Sequence, residues 1–515
     1  MGVGTLCRVR AVAKRWIGNL RERRTDRPLR VLRWWPATLL AIGTVIGGGA
    51  LAMWLLGVWS PVPRGVADPT RLQLERVKTG LTVAAGLAAG VTLLMTLRRQ
   101  AWSEQAQQFS QADAMEQRIT SLYVAAAEQL GSDKAAVRLA GLYALARLGQ
   151  DNPKLRQTVV DVICAYLRMP YTPPVEVLRR NAMKSPHHVA ADADVPEPDE
   201  QPARREELQV RLTAQRLLAN HLRLAEGDEP EPATFWRGPA GERMRLDLVG
   251  AALVDFDLSH SASEGSDLGE AQFHGYANLL GAQFHGNADL GRAQFHGEAD
   301  LGTAQFHGEA DLVGAQFHGE ADLGTAQFHG YADLVGAQFH GDADLGGAQF
   351  HGRANLGRAQ FHERADLAGA QFHGYTYLAG AQFYEYAYLA GAQFQGDADL
   401  VGAQFHGYAN LGGAQFHRRA NLGDAQFHRY ADLVGAQFHG DADLIGAHFD
   451  RGADMSEARA VPGVRLPSGW GFGDDAGTPG GLRAVVRGSD GVTSTDDQRW
   501  SAGSDADPDP GDTSG

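Results

Sequence analysis

Apolar residues recur along residues 271–450 with a period of eleven. Each unit has the form Ala-Gln-Phe-His-Gly-x-Ala-Asp/Asn-Leu-x-x, with few departures, and the first begins at Ala271. Seventeen units follow one another without insertion or deletion, and the last begins at Ala447. The apolar residues lie two apart, which places their side chains on one side of an extended strand. A fixed period of this kind predicts a repeat architecture.

Two architectures are open for an eleven-residue repeat. An apolar eleven-residue period also forms right-handed helical coiled coils. Nearly every unit contains glycine, however, and each glycine costs roughly 1 kcal/mol in a helix interior. We therefore expect a mainly β solenoid with two short strands per unit and 22-residue coils stacked about 4.8 Å apart. Phe and Leu should point inward and stack on their equivalents in the next coil.

The period shortens to five just upstream of these units. Leu248, Leu253 and Leu258 are five apart, and an apolar residue lies two positions before each. Together with Ala-Asp/Asn-Leu-x-x in later units, this pattern over residues 245–454 resembles the bacterial pentapeptide-repeat family. The resemblance implies a right-handed quadrilateral β-helix, which we place at 244–456. A sixth residue in alternate pentads should widen one turn in each half-coil.

Two uncharged stretches near the N-terminus predict transmembrane helices. Residues 1–36 contain ten Lys and Arg against two acidic residues, and the uncharged stretch 37–59 suits a bilayer core of ~30 Å. The second stretch, 80–97, ends at two arginines. Because Lys and Arg mark the cytoplasmic side, we predict a two-span hairpin over 37–99 in the bacterial inner (plasma) membrane, with both termini cytoplasmic. The long basic region disfavours the alternative of a signal peptide.

Glycine pairs in both predicted spans fit the G-x-x-x-G pattern. Gly43 and Gly47 lie in the first span, and Gly86 and Gly90 lie in the second. Because glycine lets two helices approach closely, these pairs predict helix packing within the hairpin. Self-association of the chain through these glycines, or through the ends of the rod, stays open.

The segments between the membrane and the repeats predict helices and linkers. Residues 100–169 are predicted to be α-helical, and the run from Gly131 to Leu148 resembles the HEAT-like helix pair of membrane-anchored pentapeptide-repeat proteins. The Pro- and acid-rich stretch 170–203 predicts a disordered linker. A helix over 204–226 is predicted to cap the first coil, and 457–515 is predicted to be a disordered tail. The apolar stripe of the capping helix comprises Leu208, Leu212, Leu218 and Leu222.

Negative charge is concentrated in the repeats. Residues 268–451 contain eight arginines, no lysine and 21 acidic residues, which accounts for 13 of the chain's 14 net negative charges. The resemblance implies one use, since some pentapeptide-repeat rods mimic DNA and bind DNA gyrase. Solubility alone is the alternative explanation, and direct nucleic-acid binding by the rod is disfavoured. The acidic residues predicted to share one side are Glu298, Asp300, Glu320, Asp322, Asp342 and Asp344.

Tyrosines form a second candidate surface. Tyr386, Tyr408 and Tyr430 are 22 residues apart, so we expect them to stack in one column, with Tyr377, Tyr384 and Tyr388 nearby. Exposed aromatic clusters can mark a site for a protein partner. A column without function is the alternative.

Histidine is the third candidate. Fourteen of the 19 histidines occupy one position of the unit, from His274 to His439. They should form two outward-facing ladders, and a His-rich metal-binding surface is therefore an alternative function. No set of carboxylates or cysteines has the spacing of a fixed metal site, so we assign no metal ligand. The two cysteines lie in unrelated segments and predict no disulfide framework.

No catalytic or cofactor-binding motif occurs in a suitable context. We therefore predict a non-enzymatic, membrane-anchored scaffold that presents an acidic pentapeptide-repeat rod to the cytoplasm. Its expected partners are the lipid bilayer and a protein that the sequence does not identify. The alternatives are a DNA-mimic regulator of a DNA-handling enzyme such as gyrase, and a metal-binding His surface.

Overall fold

The structure is a computed structural model that describes most of the chain. Its residues divide into two compact units, Met1–Ala125 and Ala126–Gly515, which are described separately. The first unit contains helix α1 (Trp35–Leu55) and most of helix α2 (Pro69–Leu130). The described ranges are 35–55, 69–184, 201–225, 232–461, 463–467, 469–472 and 483–487.

One described helical segment is long and apolar enough to cross a membrane, as judged by length and composition. This segment, Val77–Gln100, lies in α2 and includes the second predicted span. The apolar part of α1, Ile42–Leu55, is shorter. The predicted first span continues into residues 56–59, which lie outside the described residues. One candidate span is therefore found, and the predicted two-span hairpin is not confirmed.

The two helices of the first unit approach each other at glycines that the G-x-x-x-G pattern did not identify. A Cβ added to Gly48 would lie 3.1 Å from Leu87 Cδ1, and one added to Gly80 would lie 3.2 Å from Met53 Cγ. A Cβ added to any of the four predicted glycines would meet nothing within 4 Å in the described residues. Because one residue rotates a helix face by about 100°, Gly47 turns away where Gly48 makes contact. In the described residues, the four glycines of the pattern therefore do not lie where these two helices make contact.

Four further α-helices precede the repeats. They are α3 (Ala135–Asp151), α4 (Arg156–Leu167), α5 (Val175–Lys184) and α6 (Gln201–Leu222), with a 3₁₀ turn at Pro153–Leu155. The first two correspond to the predicted helix pair. Helix α5 lies in the predicted disordered linker 170–203, so that prediction is wrong for 175–184. Residues 185–200 of the linker lie outside the described residues.

Helix α6 covers the first coil with a face that includes only part of the predicted stripe. Val210 and Ala214 are fully buried, as are Leu218 and Leu222 of the predicted stripe, whereas Leu208 and Leu212 are only half-buried. Removing this apolar surface from water stabilises the helix on the rod.

Two glutamine side chains pair with the exposed backbone edge of the first coil. The Gln215 amide donates to Val254 O at 2.8 Å and accepts from Val254 N at 3.1 Å. The Gln157 amide makes the same pair of bonds with the backbone of Arg245, both at 2.9 Å. Each side-chain amide thus takes the place of a peptide group from a missing coil, which protects a strand edge from pairing with another chain.

Residues 245–460 form four parallel β-sheets, which are the four sides of one β-helix. Along most of the rod each strand pairs with the strand 22 residues away, as Gln316 pairs with Gln338. The first coil has 20 residues, since Arg245 pairs with Gly265. The predicted four-sided β-helix and its 22-residue coils are confirmed, and the sixth residue of alternate pentads lengthens each half-coil by one.

The sides are numbered in the order in which the chain visits them in a repeat coil. Side 1 consists of Ala252–Val254, Gln272–His274, Gln294–Phe295, Gln316–Phe317, Gln338–Phe339, Gln360–Phe361, Gln382–Phe383, Gln404–Phe405, Gln426–Phe427 and His448–Phe449. Side 2 consists of Ala277–Asn278, Ala299–Asp300, Ala321–Asp322, Ala343–Asp344, Ala365–Asp366, Tyr386–Tyr388, Tyr408–Asn410, Ala431–Asp432 and Ala453–Asp454. Side 3 consists of Ala262–Ser263, Gln283–Phe284, Gln305–Phe306, Gln327–Phe328, Gln349–Phe350, Gln371–Phe372, Gln393–Phe394, Gln415–Phe416, Gln437–Phe438 and Arg459–Ala460, and then the two C-terminal strands described below. Side 4 consists of Arg245–Asp247, Gly265–Asp267, Ala288–Asp289, Ala310–Asp311, Ala332–Asp333, Ala354–Asn355, Thr376–Tyr377, Ala398–Asp399, Ala420–Asn421 and Ala442–Asp443.

The interior of the rod is filled by the Phe, Leu and Ala side chains of the units. Phe317, Phe339 and Phe361 are fully buried. Their ring centroids are 4.8 and 4.9 Å apart, and the rings are nearly parallel. Leu323 and Leu345 are equally buried. The predicted inward stacking is confirmed, and each such side chain contributes roughly 1.5–3 kcal/mol before entropy is subtracted.

The Asp or Asn that precedes Leu forms the turn that follows it. Asp322 Oδ1 accepts the N–H of Gly324 at 2.8 Å, and Asn410 Oδ1 accepts the N–H of Gly412 at the same distance. This bond is the Asx turn, in which a short side chain caps the backbone two residues on. The bond recurs at every Asp or Asn of this position from Asn278 to Asp454.

The C-terminal end of the rod contains strands within the segment 457–515, which was predicted to be disordered. Arg459–Ala460 extends side 3, Arg483–Arg487 pairs with it in antiparallel fashion, and Trp470–Phe472 pairs with Arg483–Arg487. Val485 is buried. The prediction of disorder is wrong for these strands, because a short Ala-Val-Val run lay hidden in a Gly- and Asp-rich composition.

Candidate interaction surface on the repeat rod

The predicted acidic residues and the predicted tyrosines lie on the same side of the rod. Positions in a unit are numbered from the Ala of Ala-Gln-Phe, and position 6 faces outward on side 2 in every second unit. Strand pairing on side 2 is continuous from Ala277 to Asp454, so these residues stack at successive coils. The surface is acidic in one half and aromatic in the other. The side-2 column comprises Tyr276, Glu298, Glu320, Asp342, Arg364, Tyr386, Tyr408 and Tyr430.

The acidic half of the side-2 column holds like charges close together. Asp300, Asp322 and Asp344 lie beside the column at position 8. Burial raises the pKa of Glu320, and the nearby carboxylates raise it further. Burial and the charges of its stacked neighbours also raise the pKa of Asp322, against the hydrogen bond from Gly324. Crowded negative charge of this kind favours a positively charged partner.

The negative charge at position 8 has a structural cause. Asn278, Asn355, Asn410 and Asn421 replace Asp at this position and make the same Asx turn. The turn needs an acceptor oxygen at Oδ1 and does not need a charge. Much of the acidity that sequence analysis singled out is therefore explained by turn formation.

The aromatic half of the side-2 column is exposed. Tyr386 is 47% exposed and Tyr430 is 43% exposed. Ring centroids lie 6.2 Å apart for Tyr386 and Tyr388 and for Tyr408 and Tyr430, and the rings of each pair are nearly parallel. Tyr388 meets Tyr408 edge to face at 6.3 Å. The backbones of Tyr386 and Tyr408 are paired in register, but their rings are connected through Tyr388, and only Tyr408 and Tyr430 stack directly on each other.

Two other tyrosines that the sequence placed nearby lie on different sides. Tyr377 is on side 4. Tyr384 lies on side 1, where its ring stacks between His362 and His406 at 4.7 and 5.0 Å. Neither of them adds to the aromatic half of the side-2 column.

Hydrogen bonds to carboxylates fix the phenols of the column. Tyr408 Oη donates to Asp432 Oδ2 at 3.3 Å. Burial raises the pKa of Tyr408 to about 12, and the Asp432 carboxylate adds to the shift. Burial and Asp454 raise the pKa of Tyr430 in the same way. Both phenols therefore stay protonated at neutral pH.

Within the described residues of the rod, arginine lies over tyrosine rings at two places that were not expected from the sequence. On side 4 the Arg353 guanidinium carbon lies 5.4 Å from the ring centroid of Tyr331 and 5.8 Å from that of Tyr375. On side 2 the Arg364 guanidinium carbon lies 5.4 Å from the Tyr388 ring. The sequence contains a sign of the side-4 contact, because successive members of the set Tyr331, Arg353 and Tyr375 are 22 residues apart, the length of one coil.

The histidines form the two predicted ladders on sides 1 and 3. Ring centroids of His296, His318 and His340 are 5.4 and 5.0 Å apart. Most ladder rings are half-buried or exposed, but His274 is buried and its Nδ1 lies 3.3 Å from Asn181 Nδ2. The expectation that every ladder histidine faces solvent is wrong for His274.

The ladder geometry does not form a chelate. The nitrogen lone pairs of an imidazole lie in the plane of its ring. Because neighbouring rings of a ladder are parallel, the lone pairs of two neighbouring histidines do not converge on one ion. A zinc–nitrogen bond requires about 2.0–2.1 Å along each lone pair. In the part of the chain that the structure describes, no group of three or more His, Cys, Asp or Glu could hold a metal ion.

Lowering the pH from 7 to 5.5 should lower the melting temperature of the protein. Burial and then the neighbouring imidazole lower the pKa of His406 and His439, and burial lowers that of His274 to about 4. The unfolded chain, with His pKa near 6.5, therefore binds more protons than the folded chain below that pH. The contribution of these neutral histidines to the free energy of unfolding is fully present above about pH 6.5. It is lost as the pH falls toward the pKa values that the histidines have in the folded chain. Thermal melts at several pH values in low salt would measure this.

The matched control replaces side-3 ladder histidines with glutamine, which Gln395 already supplies at this position. His351→Gln with His439→Gln, whose pKa values burial and neighbouring imidazoles lower, should reduce the pH dependence and leave the melting temperature at pH 7 nearly unchanged. A melting temperature that climbs as pH falls would contradict the expectation. It would show that protonation of Glu320 and Asp322, whose pKa values are raised, dominates.

Comparison with protein-family models gives one match. The model is described as pentapeptide repeats in nine copies, and it matches residues 290–338, 334–382 and 378–426. These overlapping matches cover the middle of the rod, including most of the side-2 column. No curated protein matches the chain, and no solved structure matches it.

Proposed function

The repeat rod of this chain belongs to the pentapeptide-repeat family, and on this premise we propose that the protein is a membrane-anchored, non-enzymatic scaffold. The rod presents its outer surface to the cytoplasm, where side 2 binds another protein. The side-2 column is the observation that carries this proposal. Sides 1 and 3 repeat the same Gln and His with few changes, whereas side 2 collects exposed tyrosines and crowded carboxylates.

The interior of the rod supports a role in binding and not in catalysis. It is packed with Phe, Leu and Ala side chains that are almost fully buried. Thr376, which replaces one of these alanines, is a buried exception, and the charged groups of the repeats lie on the outside. A stack of repeats gives a long surface on which outward positions can vary without loss of the core. Such a surface suits recognition of another macromolecule.

The membrane part of the proposal has its own support. The Val77–Gln100 segment is long and apolar enough to span a bilayer, and residues 1–36 are strongly basic. Positive charge next to a span favours the cytoplasmic side. A second span before residue 60 would bring both termini to that side, which is the topology we propose.

The two alternative functions gain no observation in their favour. The position-8 carboxylates, which DNA mimicry would use as phosphate equivalents, act in Asx turns where Asn serves equally well. The position-6 carboxylates of the side-2 column cover only three coils before Arg364. The His ladders stack without converging lone pairs, as described above.

Site-specific photo-crosslinking in washed membranes tests the scaffold. A photoreactive phenylalanine analogue replaces Glu320 or Tyr408 on side 2, or His351 on side 3 as the control. We expect the full-length chain to remain with the membrane fraction and to form a discrete crosslinked protein adduct from side 2 only. Equal adducts from both sides, or no adduct from any position, would contradict the proposal. Release of the chain by alkaline carbonate would contradict the membrane anchor.

A further inference from the structure

The aromatic half of the side-2 column offers ring faces beside carboxylates. Tyr386, Tyr408 and Tyr430 stand on three successive coils, so they span about 10 Å of the rod. Asp432 and Asp454 lie next to the rings, within reach of the phenols of Tyr408 and Tyr430. The face of an aromatic ring is electronegative and attracts cations. Rings and carboxylates together therefore present a surface that fits positive charge.

The phenol hydroxyls of Tyr408 and Tyr430 are bonded to carboxylates of the chain and do not offer their hydrogens to an anion. Tyr408 Oη donates to Asp432 within the chain, and Tyr430 is hydrogen-bonded to Asp454. A phosphate or carboxylate ligand would meet these carboxylates instead of free donors. At these two coils the column thus presents to a partner the aromatic rings and the carboxylates of Asp432 and Asp454.

The chain already contains the same contact between a cation and stacked tyrosines. Arg353 lies between Tyr331 and Tyr375, which are two coils apart on side 4. Arg364 lies over Tyr388 at the edge of the aromatic half and bonds to Asp366 Oδ2 at 2.5 Å. Among the described residues, no arginine or lysine is placed over Tyr386, Tyr408 or Tyr430.

We infer that Tyr386, Tyr408 and Tyr430 bind an arginine-bearing helix of a partner protein, whose guanidinium groups lie over the rings. This inference rests on the proposed function and names the chemistry of the partner. The distance between the tyrosines along the rod favours a partner helix over an extended partner strand. Arginines at i, i+4 and i+7 of an α-helix span about 10.5 Å, close to the ~10 Å between three coils. Alternate residues of an extended strand would span about 13.6 Å over the same two steps.

Arginine fits this surface better than lysine. A planar guanidinium stacks on an aromatic face and donates to a carboxylate at the same time, as Arg364 does with Tyr388 and Asp366. The Lys ammonium is a more strongly hydrated point charge. We therefore expect an arginine helix to bind more tightly than the same helix with lysines.

A titration with a labelled helical peptide tests the inference. The probe carries arginines at i, i+4 and i+7, and the full-length chain is held in detergent micelles. We expect salt-sensitive binding that weakens about threefold for Tyr408→Ala and more than tenfold for the triple alanine variant, since an exposed cation–ring contact changes affinity by a few-fold. The triple phenylalanine variant keeps the rings and should stay within about threefold of wild type. A peptide with citrulline in place of arginine should not bind.

The control variant is Tyr276→Ala, which removes a tyrosine from the same column far from the aromatic half and should leave binding unchanged. Position 6 also accepts Asn287 and Gly452, so the variants should fold, and a thermal melt checks this. Equal binding by the triple alanine variant, equal binding of the citrulline peptide, or no binding of the arginine peptide would each overturn the inference. Loss of a wild-type oligomer in the triple alanine variant would instead assign the surface to a second copy of the chain.

Failure of this inference is distinguishable from failure of the scaffold proposal. A photo-crosslinked adduct at Glu320 that forms equally when Tyr386, Tyr408 and Tyr430 are replaced by alanine would keep the scaffold and overturn the arginine helix. Absence of adducts from every outward position would overturn the scaffold itself.

Discussion

Replacing Phe339 with aspartate should unfold the middle of the rod. Phe339 is fully buried, and its ring stacks at 4.8 Å on Phe317 and 4.9 Å on Phe361. Loss of the ring alone would cost about 3–5 kcal/mol, and an unpaired buried carboxylate adds a further penalty. The sum is comparable to the whole stability of a typical domain. Because each coil contacts only its neighbours, unfolding should begin at these coils.

Limited trypsin digestion and thermal melting would measure this effect. Cleavage should become rapid at Arg353 and Arg358, which lie later in the same coil as the substitution. The control is His340→Asp, one residue on, which faces outward and should cost about 1 kcal/mol or less. Equal damage from both substitutions would show that the inward and outward positions are assigned wrongly.

Replacing Gly319 with alanine should lower the melting temperature by several degrees. A Cβ on Gly319 would lie 2.6 Å from the backbone carbon and oxygen of Gly297, one coil below. These atoms belong to the stacked backbone and have no rotamer by which to move away. Overpacking of this kind costs roughly 1–3 kcal/mol, and in a domain of this size each kcal/mol shifts the melting temperature by about 2–4 °C.

The loss of stability expected for Gly319→Ala is moderate, because other units already carry a side chain at this position. Glu363, Glu385, Arg418 and Arg429 occupy the same position of their units, and the side-2 strand after Glu385 lengthens to Tyr386–Tyr388. A changed turn therefore accommodates a side chain at this position. The matched control is Gly324→Ala, whose Cβ would meet side-chain atoms only, Asp322 Oδ1 at 3.1 Å and Asp344 Oδ1 at 3.5 Å being the nearest. Ala368 already stands at this position in another unit. A loss of stability as large for Gly324→Ala would contradict the argument.

The column that joins the acidic residues to the tyrosines could have been found from the sequence. Starting from Glu298, repeated addition of 22 to the residue number gives Glu320, Asp342, Arg364 and then Tyr386. Grouped by chemical type instead, the same residues suggest two separate surfaces. In the same way, the exchange of Asp for Asn before Leu was a visible sign that this position forms a turn and does not require charge.

Other contacts of the candidate surface had no such signal. Whether Arg364 lies over Tyr388 or points away depends on the rotamer that Asp366 selects by accepting its hydrogen bond. The burial of His274 depends on helix α5, through Asn181, in a segment whose composition predicted disorder. Side-chain direction at an exposed position is decided by neighbours that the period does not specify.

The sequence by itself determined the interior, the register and the coil length of the rod, because every coil meets a copy of itself. In such a stack the neighbour of each residue is set by the period, and Phe stacks on Phe wherever the unit repeats. Only the tertiary structure decided how the first coil is closed. Gln157 and Gln215 supply hydrogen bonds to strand edges 88 and 39 residues away in sequence. These contacts depend on how whole helices pack against the rod, and no local spacing encodes that packing.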